Sequence, residues 1–293
     1  MPPLDLTAFL DKHQLPQHYA DTAQAWFVPL AKQLATKQQQ QAKTVIVGIN
    51  GAQGSGKSTL ADLLVSIFKQ SLGLSAVAIS LDDFYHTKQQ RQQLADTVHP
   101  LLVTRGVPGT HDVDLALNTL HQLTNNTGNT SIPSFNKATD DRRPESQWPS
   151  CVVPVDIIVL EGWCLGLQGQ DEQTLTTAIN DLEQNEDSDA SWRHYVNQQL
   201  TTVYPSLFSQ LDELIMLKAP SFDCIYQWRV QQEQKLANQL TPQQSSSAVM
   251  TEQKIQRFIM HFQRLTEHGL ATLPMQADVT FELDENRQIT NRY

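Results

Sequence analysis

The rhythm of hydrophobic and polar positions changes several times along the chain, and each change marks an element. In the first 42 residues, Tyr19, Ala23, Trp26, Phe27, Leu30 and Leu34 recur near the helical period, which predicts a helix with one apolar face. The segment ends in the polar run Lys37–Gln41, and residues 1–42 read as an N-terminal helical extension that packs on the core. At Thr44 the rhythm breaks. Thr44–Asn50 is apolar and β-branched without alternation, the pattern of a strand covered on both faces. Similar runs predict strands at Ala76–Leu81, Val155–Trp163, Glu213–Pro220 and Ala277–Leu283. Between them lie helical patterns over 57–70, 87–96, 112–123, 191–210, 221–239 and 251–269, the last two joined by Thr241–Ser247. Thr124–Thr130 reads as a turn, 134–150 as a loop, and the acidic stretch 168–190 as an exposed insertion. Strands alternating with helices predict a three-layer α/β fold with a mostly parallel sheet covered on both faces.

Composition narrows the possibilities. With 293 residues, 40% of them hydrophobic, the chain can bury one large α/β domain or one domain with appendages. We expect that domain over 43–293, with 1–42 appended. The formal net charge of −10 disfavours general binding to nucleic acid or acidic membranes. A phosphorylated ligand must then be held by local cations and backbone N–H groups. Cys151, Cys164 and Cys224 are odd in number and show no C-x-x-C spacing, which argues against a disulfide framework or a structural zinc site and suits a reducing cytosol. The first residues have no secretory pattern, and no apolar run reaches the roughly 20 residues of a membrane span, so a cytoplasmic protein is expected.

The most specific local signal follows the first strand. Gly51, Ala52, Gln53, Gly54, Ser55, Gly56, Lys57, Ser58 and Thr59 match G-x-x-x-x-G-K-[ST] between a buried strand and an amphipathic helix. The glycines permit backbone angles that turn successive N–H groups inward, and the positive end of the following helix points at the same place. Lys57 can neutralise β- and γ-phosphates, and the Ser58 hydroxyl is a hard oxygen ligand for Mg²⁺. The loop binds a nucleoside triphosphate but does not by itself separate a kinase from an ATPase, a GTPase or a motor.

Carboxylates at strand ends choose among these. The second strand runs into Ser80-Leu81-Asp82-Asp83-Phe84-Tyr85. In an open α/β sheet the carboxyl ends of the strands line the ligand crevice, where Asp82 could accept the proton of an attacking alcohol. The alternative for Asp82 and Asp83 is capping of the next helix. The third strand ends in Glu161, where a strand-end acid usually holds Mg²⁺ through water; the alternative is a surface acid. No second acid follows it, which argues against an ATPase that polarises water with an acidic pair and suits a transferase that keeps water out.

Six segments in order, GAQGSGKST, SLDDFY, RGVPGTHD, IPSFNKATDDRR, IVLEGW and YQWRVQQE, resemble the D-glycerate 3-kinase family, within the larger group of phosphoribulokinase, uridine kinase and pantothenate kinase. The resemblance spans roughly 44–285 and implies a P-loop NTPase fold with a helical lid near 221–250. It implies Asp82 as general base, Ser58 and Glu161 as Mg²⁺ ligands, and Tyr85, Arg105, His111, Lys137 and Arg143 around the acceptor. It implies Arg229 as the lid arginine that closes over the phosphates, and ATP as the donor.

Glycerate is a small carboxylate with two hydroxyls, and its pocket should offer one or two cations and neutral donors. Arg105, His111, Lys137, Arg142 and Arg143 could supply them. A nucleoside acceptor would instead want an aromatic clamp, for which Phe84, Tyr85, Phe135 and Trp163 are available. The expectation is therefore ATP- and Mg²⁺-dependent phosphorylation of a small metabolite, D-glycerate foremost, by a monomer or weak homodimer. A uridine- or pantothenate-type kinase and an ATP-dependent regulatory module are the alternatives.

Overall fold

The computed structural model describes residues 6–239 and 250–293. Its centre is a six-stranded sheet. The strands, in chain order, are β1 (Val45–Gly51) and β2 (Ala76–Ser80), the short β3 (Gly128–Ser131), β4 (Phe135–Asn136), β5 (Asp141–Arg142) and β6 (Ser150–Val153), then β7 (Ile157–Gly162), β8 (Glu213–Lys218), β9 (Val279–Leu283) and β10 (Ile289–Arg292). The sheet order is β10-β9-β8-β1-β7-β2, parallel throughout except for the antiparallel edge strand β10. Every residue of β1 and β7 is buried, as their unbroken apolar runs predict.

Helices cover both faces. α1 (Thr7–His13), α2 (Tyr19–Thr22), α3 (Val28–Gln41) and α4 (Lys57–Ser71) lie on one side. α5 (Lys88–Thr97), α6 (Val113–Asn125), α7 (Asp181–Glu186), α8 (Ser191–Thr202), α9 (Tyr204–Phe208), α10 (Phe222–Gln239) and α11 (Glu252–Thr272) complete the helical set among the described residues. Val45, Val47 and Ile49 of β1 pack with α3, α4 and α10, while Ile46 joins the opposite core of α6, α8, α9 and α11. The N-terminal extension shares the first core with the sheet. Its Leu30 and Leu34 are fully buried, each contributing roughly 1.5–3 kcal/mol.

Several expectations need correction. The extension is α1 followed by one unbroken helix, Tyr19–Gln41, made of α2, a π turn and α3, so the expected helix through Tyr19–Leu34 holds and only α1 is separate. Gln14 turns left-handed after α1, and Pro29, with no N–H to donate, follows a π turn over Ala23–Phe27. The expected helix 191–210 divides at Val203 because Pro205 begins a new one. The turn expected at 124–130 is two residues, since α6 runs to Asn125 and β3 begins at Gly128 to pair with β6. The expected loop 134–150 contains the β4–β5 hairpin.

The acidic stretch 168–190 is not simply exposed. Leu175, Leu182, Glu183 and Asp187 are buried in it. Arg264 grips Glu183 with two hydrogen bonds of 2.7 and 2.6 Å, and Arg193 holds Asp187 at 2.8 Å. Arginines outside the stretch, Arg264 far along the chain and Arg193 just beyond its end, compensate these acids, so the local charge run did not report burial. The linker expected at 241–247, and with it part of the expected lid, lies outside the described residues. Among the described residues no helix is long and apolar enough to cross a membrane.

Candidate active site

Strand order assembles the site. β7 lies between β1 and β2, and the register sets Glu161 beside Ile49 on one side and Ser80 on the other. The phosphate loop leaves the end of β1, Glu161 ends β7, and Asp82 follows β2. Three chemistries thereby reach one edge of the sheet from three adjacent strands, at the carboxyl ends where crevices form.

At the loop, Gly54 (φ +81°) and Gly56 (φ +95°) take left-handed conformations open to glycine, and α4 starts directly behind them at Lys57. A side chain at Gly54 would also meet Trp228 of α10, 2.9 Å from its Cβ. The Ser58 hydroxyl donates to Glu161 Oε1 at 2.7 Å. Glu161 Oε2 is buried without a hydrogen-bond partner, with Lys57 Nζ 3.8 Å away. A buried carboxylate oxygen left open beside a hydroxyl is a donor set that fits a hard cation such as Mg²⁺.

Asp82 sits in a short 3-10 turn, Leu81–Phe84, and donates its own N–H to the Ser80 hydroxyl at 3.3 Å. Neither neighbouring aspartate caps α5, which Thr87 and Gln90 cap reciprocally. Asp83 accepts the backbone N–H of Phe135 at 3.0 Å and so anchors β4. Asp82 Oδ1 accepts the Tyr85 hydroxyl at 2.8 Å, and Oδ2 accepts Lys137 Nζ at 2.6 Å. Burial alone would raise this carboxyl, but Lys137 and Lys57, with the hydrogen bonds of Lys137 and Tyr85, hold it well below the usual carboxylate range.

Tyr85 stacks on His111 with ring centroids 4.5 Å apart and meets the edge of Phe135 at 5.3 Å. Its backbone carbonyl accepts Arg142 Nε and Nη2, and Arg142 also bridges to Asp112 at 3.1 Å. Arg142 is thus engaged in holding the turn together. Burial pushes His111 down to about 3 despite the opposing field of Asp82, so the ring is neutral and can serve only as one of the neutral donors. Tyr204, which the sequence reading missed, accounts for its orientation. The Tyr204 hydroxyl accepts the Gly109 N–H at 3.0 Å, which leaves its proton for His111 Nδ1 at 2.6 Å. The histidine proton is then on Nε2, a buried atom with no protein partner. Nothing in the pattern around Tyr204 announces this; the pairing spans 93 residues.

Arg105 pairs with Asp140 and lies 5.4 Å from the Phe135 ring centre. The fully buried Arg91, also unforeseen in a polar helix, shares Asp140 at 3.0 Å and faces the same ring. Arg143 makes no ion pair with any described residue. Phe84 is buried in the core, and the Trp163 indole donates to the Gly106 carbonyl at 2.8 Å while packing edge-on against Phe262. All four aromatics available for a clamp, Phe84, Tyr85, Phe135 and Trp163, are buried. Arg229 is engaged by Glu233 and Gln232 of its own helix and faces Phe258, while its neighbour Trp228 is the residue that touches the phosphate loop.

Comparison with known proteins agrees with this geometry. Residues 46–182 match the phosphoribulokinase / uridine kinase family. An uncharacterized kinase of Schizosaccharomyces pombe is 31% identical over 88% of this chain and 94% of its own. The chloroplastic D-glycerate 3-kinase of Arabidopsis thaliana is 28% identical over 83% of this chain and 53% of its own. Among solved structures, D-glycerate 3-kinase from Cryptococcus neoformans superposes with a TM-score of 0.73 at 22% identity, over 92% of this chain and 99% of that one. With the full-length relative, the matched segment and the phosphate loop in agreement, the chain belongs to the phosphoribulokinase / uridine kinase family of P-loop kinases.

Proposed function

We propose that the protein transfers the γ-phosphoryl group of ATP to a hydroxyl of a small anionic metabolite, with D-glycerate the best single acceptor. The observation that carries this reading is Asp82, ionised and held at two points by Lys137 and Tyr85 within the field of Lys57. Asp82 orients the acceptor hydroxyl and takes its proton as the new O–P bond forms. A carboxylate held this far down is a weak base, so it acts late, when the attacking oxygen has already become acidic. Lys57 and the loop N–H groups stabilise the charge gathering on the transferred group. Ser58 and Glu161 would hold Mg²⁺, which supplies neutralisation of phosphate charge when bound. Arg229 reaches the phosphates only after leaving Glu233, which makes it a closing rather than a resting contact.

Lys137, Arg105 and Arg143 support an anionic acceptor, with His111 Nε2–H and the Tyr85 hydroxyl as neutral donors. The burial of all four candidate aromatics, two of them engaged in ring contacts with each other, weakens the case for an open nucleoside clamp, and the name of the Arabidopsis relative favours glycerate. The same reading has the protein work in the cytoplasm as a monomer or weak homodimer, apart from nucleic acid and membranes. An acceptor screen with purified protein, following ADP release with D-glycerate, uridine, pantothenate and no addition, tests it. Stimulation by D-glycerate is expected; turnover that none of the three raises would sink the kinase reading.

A further inference from the structure

The phosphate loop is also one end of a second space. A cavity of about 410 Å³ runs from Gly54–Leu60 to the N-terminal extension and the β9–β10 turn, and no residue nominated for the acceptor lines it. Leu15 and Pro16 face it from the loop between α1 and α2, and Leu283 and Ile289 from the sheet edge. Polar side chains also line it, His13, Tyr19, Thr22, Gln232 and Asn286 among them, and His18 and Gln288 meet across it, Nε2 to Nε2, at 3.3 Å. Apolar side chains that can cover a ring face, with hydrogen-bonding groups at its edge and a volume of several hundred cubic ångströms, suit a flat heterocycle.

The walls are fixed to the loop from both sides. Arg287 Nε donates to the Gly54 carbonyl at 2.7 Å, and its guanidinium lies 4.9 Å from the Trp228 ring centre. Trp228 in turn donates to the Glu285 carbonyl at 2.7 Å. On the other side, Lys12 and His13 at the end of α1 reach Asp62 of α4 at 3.0 and 3.3 Å. A triphosphate on the loop directs its γ end toward Glu161 and Asp82. Its nucleoside end must leave the opposite way, and this cavity lies there.

We propose that the N-terminal extension is part of the nucleotide site, the segment Leu15–Thr22 forming one wall of a nucleobase pocket and His18 and Gln288 reading the edge of the base. The inference rests on the nucleotide reading above and adds the part of the chain that recognises the base. An ATP-binding role for the loop alone would not require it, because the phosphates are held by Gly54–Ser58.

Calorimetric titration of the full chain with ATP and, separately, with inorganic tripolyphosphate tests it without reference to turnover. Wild-type protein should bind ATP more tightly than tripolyphosphate. The double variant His18→Ala/Gln288→Ala, at an exposed and a half-buried position, should weaken ATP by about tenfold and leave tripolyphosphate unchanged. Thr22→Trp, which fills the cavity from the same wall, should reduce ATP to the affinity of tripolyphosphate. Equal wild-type affinity for the two, or variants that weaken both alike or neither, would overturn the base pocket while leaving the kinase reading intact. Binding of neither ligand by wild-type protein would overturn both.

Discussion

The two ends of the active site are built from different materials. The phosphate end is backbone: left-handed Gly54 and Gly56, a helix start at Lys57, and only Ser58, Lys57 and Glu161 as side chains. The acceptor end is almost entirely side chain, with Asp82, Lys137, Tyr85, His111 and Tyr204 joined by hydrogen bonds and ring contacts. A backbone cradle is specified by a short contiguous motif and tolerates change around it. A side-chain network is specified by residues that meet only in the fold, and it is sensitive to charge. Damage to the two ends should therefore look different: loss of nucleotide or metal binding at one, loss of rate or of pH tolerance at the other.

The largest expected effect separates them most sharply. Asp82→Asn keeps the hydrogen bond from Tyr85 but removes the charge and the basic oxygen. We expect kcat to fall about 10³-fold with ATP affinity by titration unchanged. Turnover within a fewfold of wild type would remove Asp82 from the chemistry. Glu161→Gln should act at the other end. It leaves Ser58 a partner but withdraws the open carboxylate oxygen, so the Mg²⁺ concentration needed for half-maximal rate should rise about a hundredfold. An unchanged Mg²⁺ requirement would show that the metal is held elsewhere.

The same contrast explains how much was readable from the sequence. β1, the loop and α4 are contiguous, and strand burial on both faces is written directly in Val45–Asn50. The placing of Asp82 and Glu161 at one edge of the sheet was legible because Glu161 lies at the end of β7 and Asp82 closely follows β2. The network behind His111 was not. Tyr204 and Arg91 sit in helices whose patterns describe packing, and their partners come from other elements. The acidic stretch misled for the same reason: the arginines that bury Glu183 and Asp187 lie outside it. The short strands β3 to β6 pair only with one another, so burial leaves weak periodicity to read. The N-terminal extension was recognised as helical from its apolar face, but the pattern says nothing of the cavity it helps enclose.

His111 gives a prediction confined to the acceptor end. Burial holds it at about 3, against 6.5 for an ordinary histidine. Above pH 6.5 the ring is neutral in both folded and unfolded chains and its burial has no pH dependence. As pH falls below 6.5 the unfolded chain takes up a proton that the folded chain refuses, so stability declines through the window down to about 3. At pH 5 this one group should cost about 2 kcal/mol relative to pH 7.5. His111→Gln should be less stable than wild type at pH 7.5 yet lose about 2 kcal/mol less on going to pH 5, as measured by urea unfolding at the two pH values. Parallel losses in the two proteins would mean that His111 takes up its proton in the fold.

The smallest effect tests whether Tyr204 orients that ring. Tyr204→Phe keeps the buried ring and its packing against Phe208 but leaves the Gly109 N–H and His111 Nδ1 without the hydroxyl between them. The direct cost should be about 1 kcal/mol in unfolding free energy. The informative readout is the tautomer. With the hydroxyl present, His111 carries its proton on Nε2; without it, Nδ1 loses the donor that fixed this choice. Nitrogen chemical shifts of the His111 ring in ¹⁵N-labelled protein should report a single Nε2–H form in wild type and a mixture in Tyr204→Phe. The KM for the acceptor should rise in parallel while the KM for ATP does not change. A single tautomer in both proteins would make Tyr204 a packing residue, and the side-chain network of the acceptor end would then stop at His111.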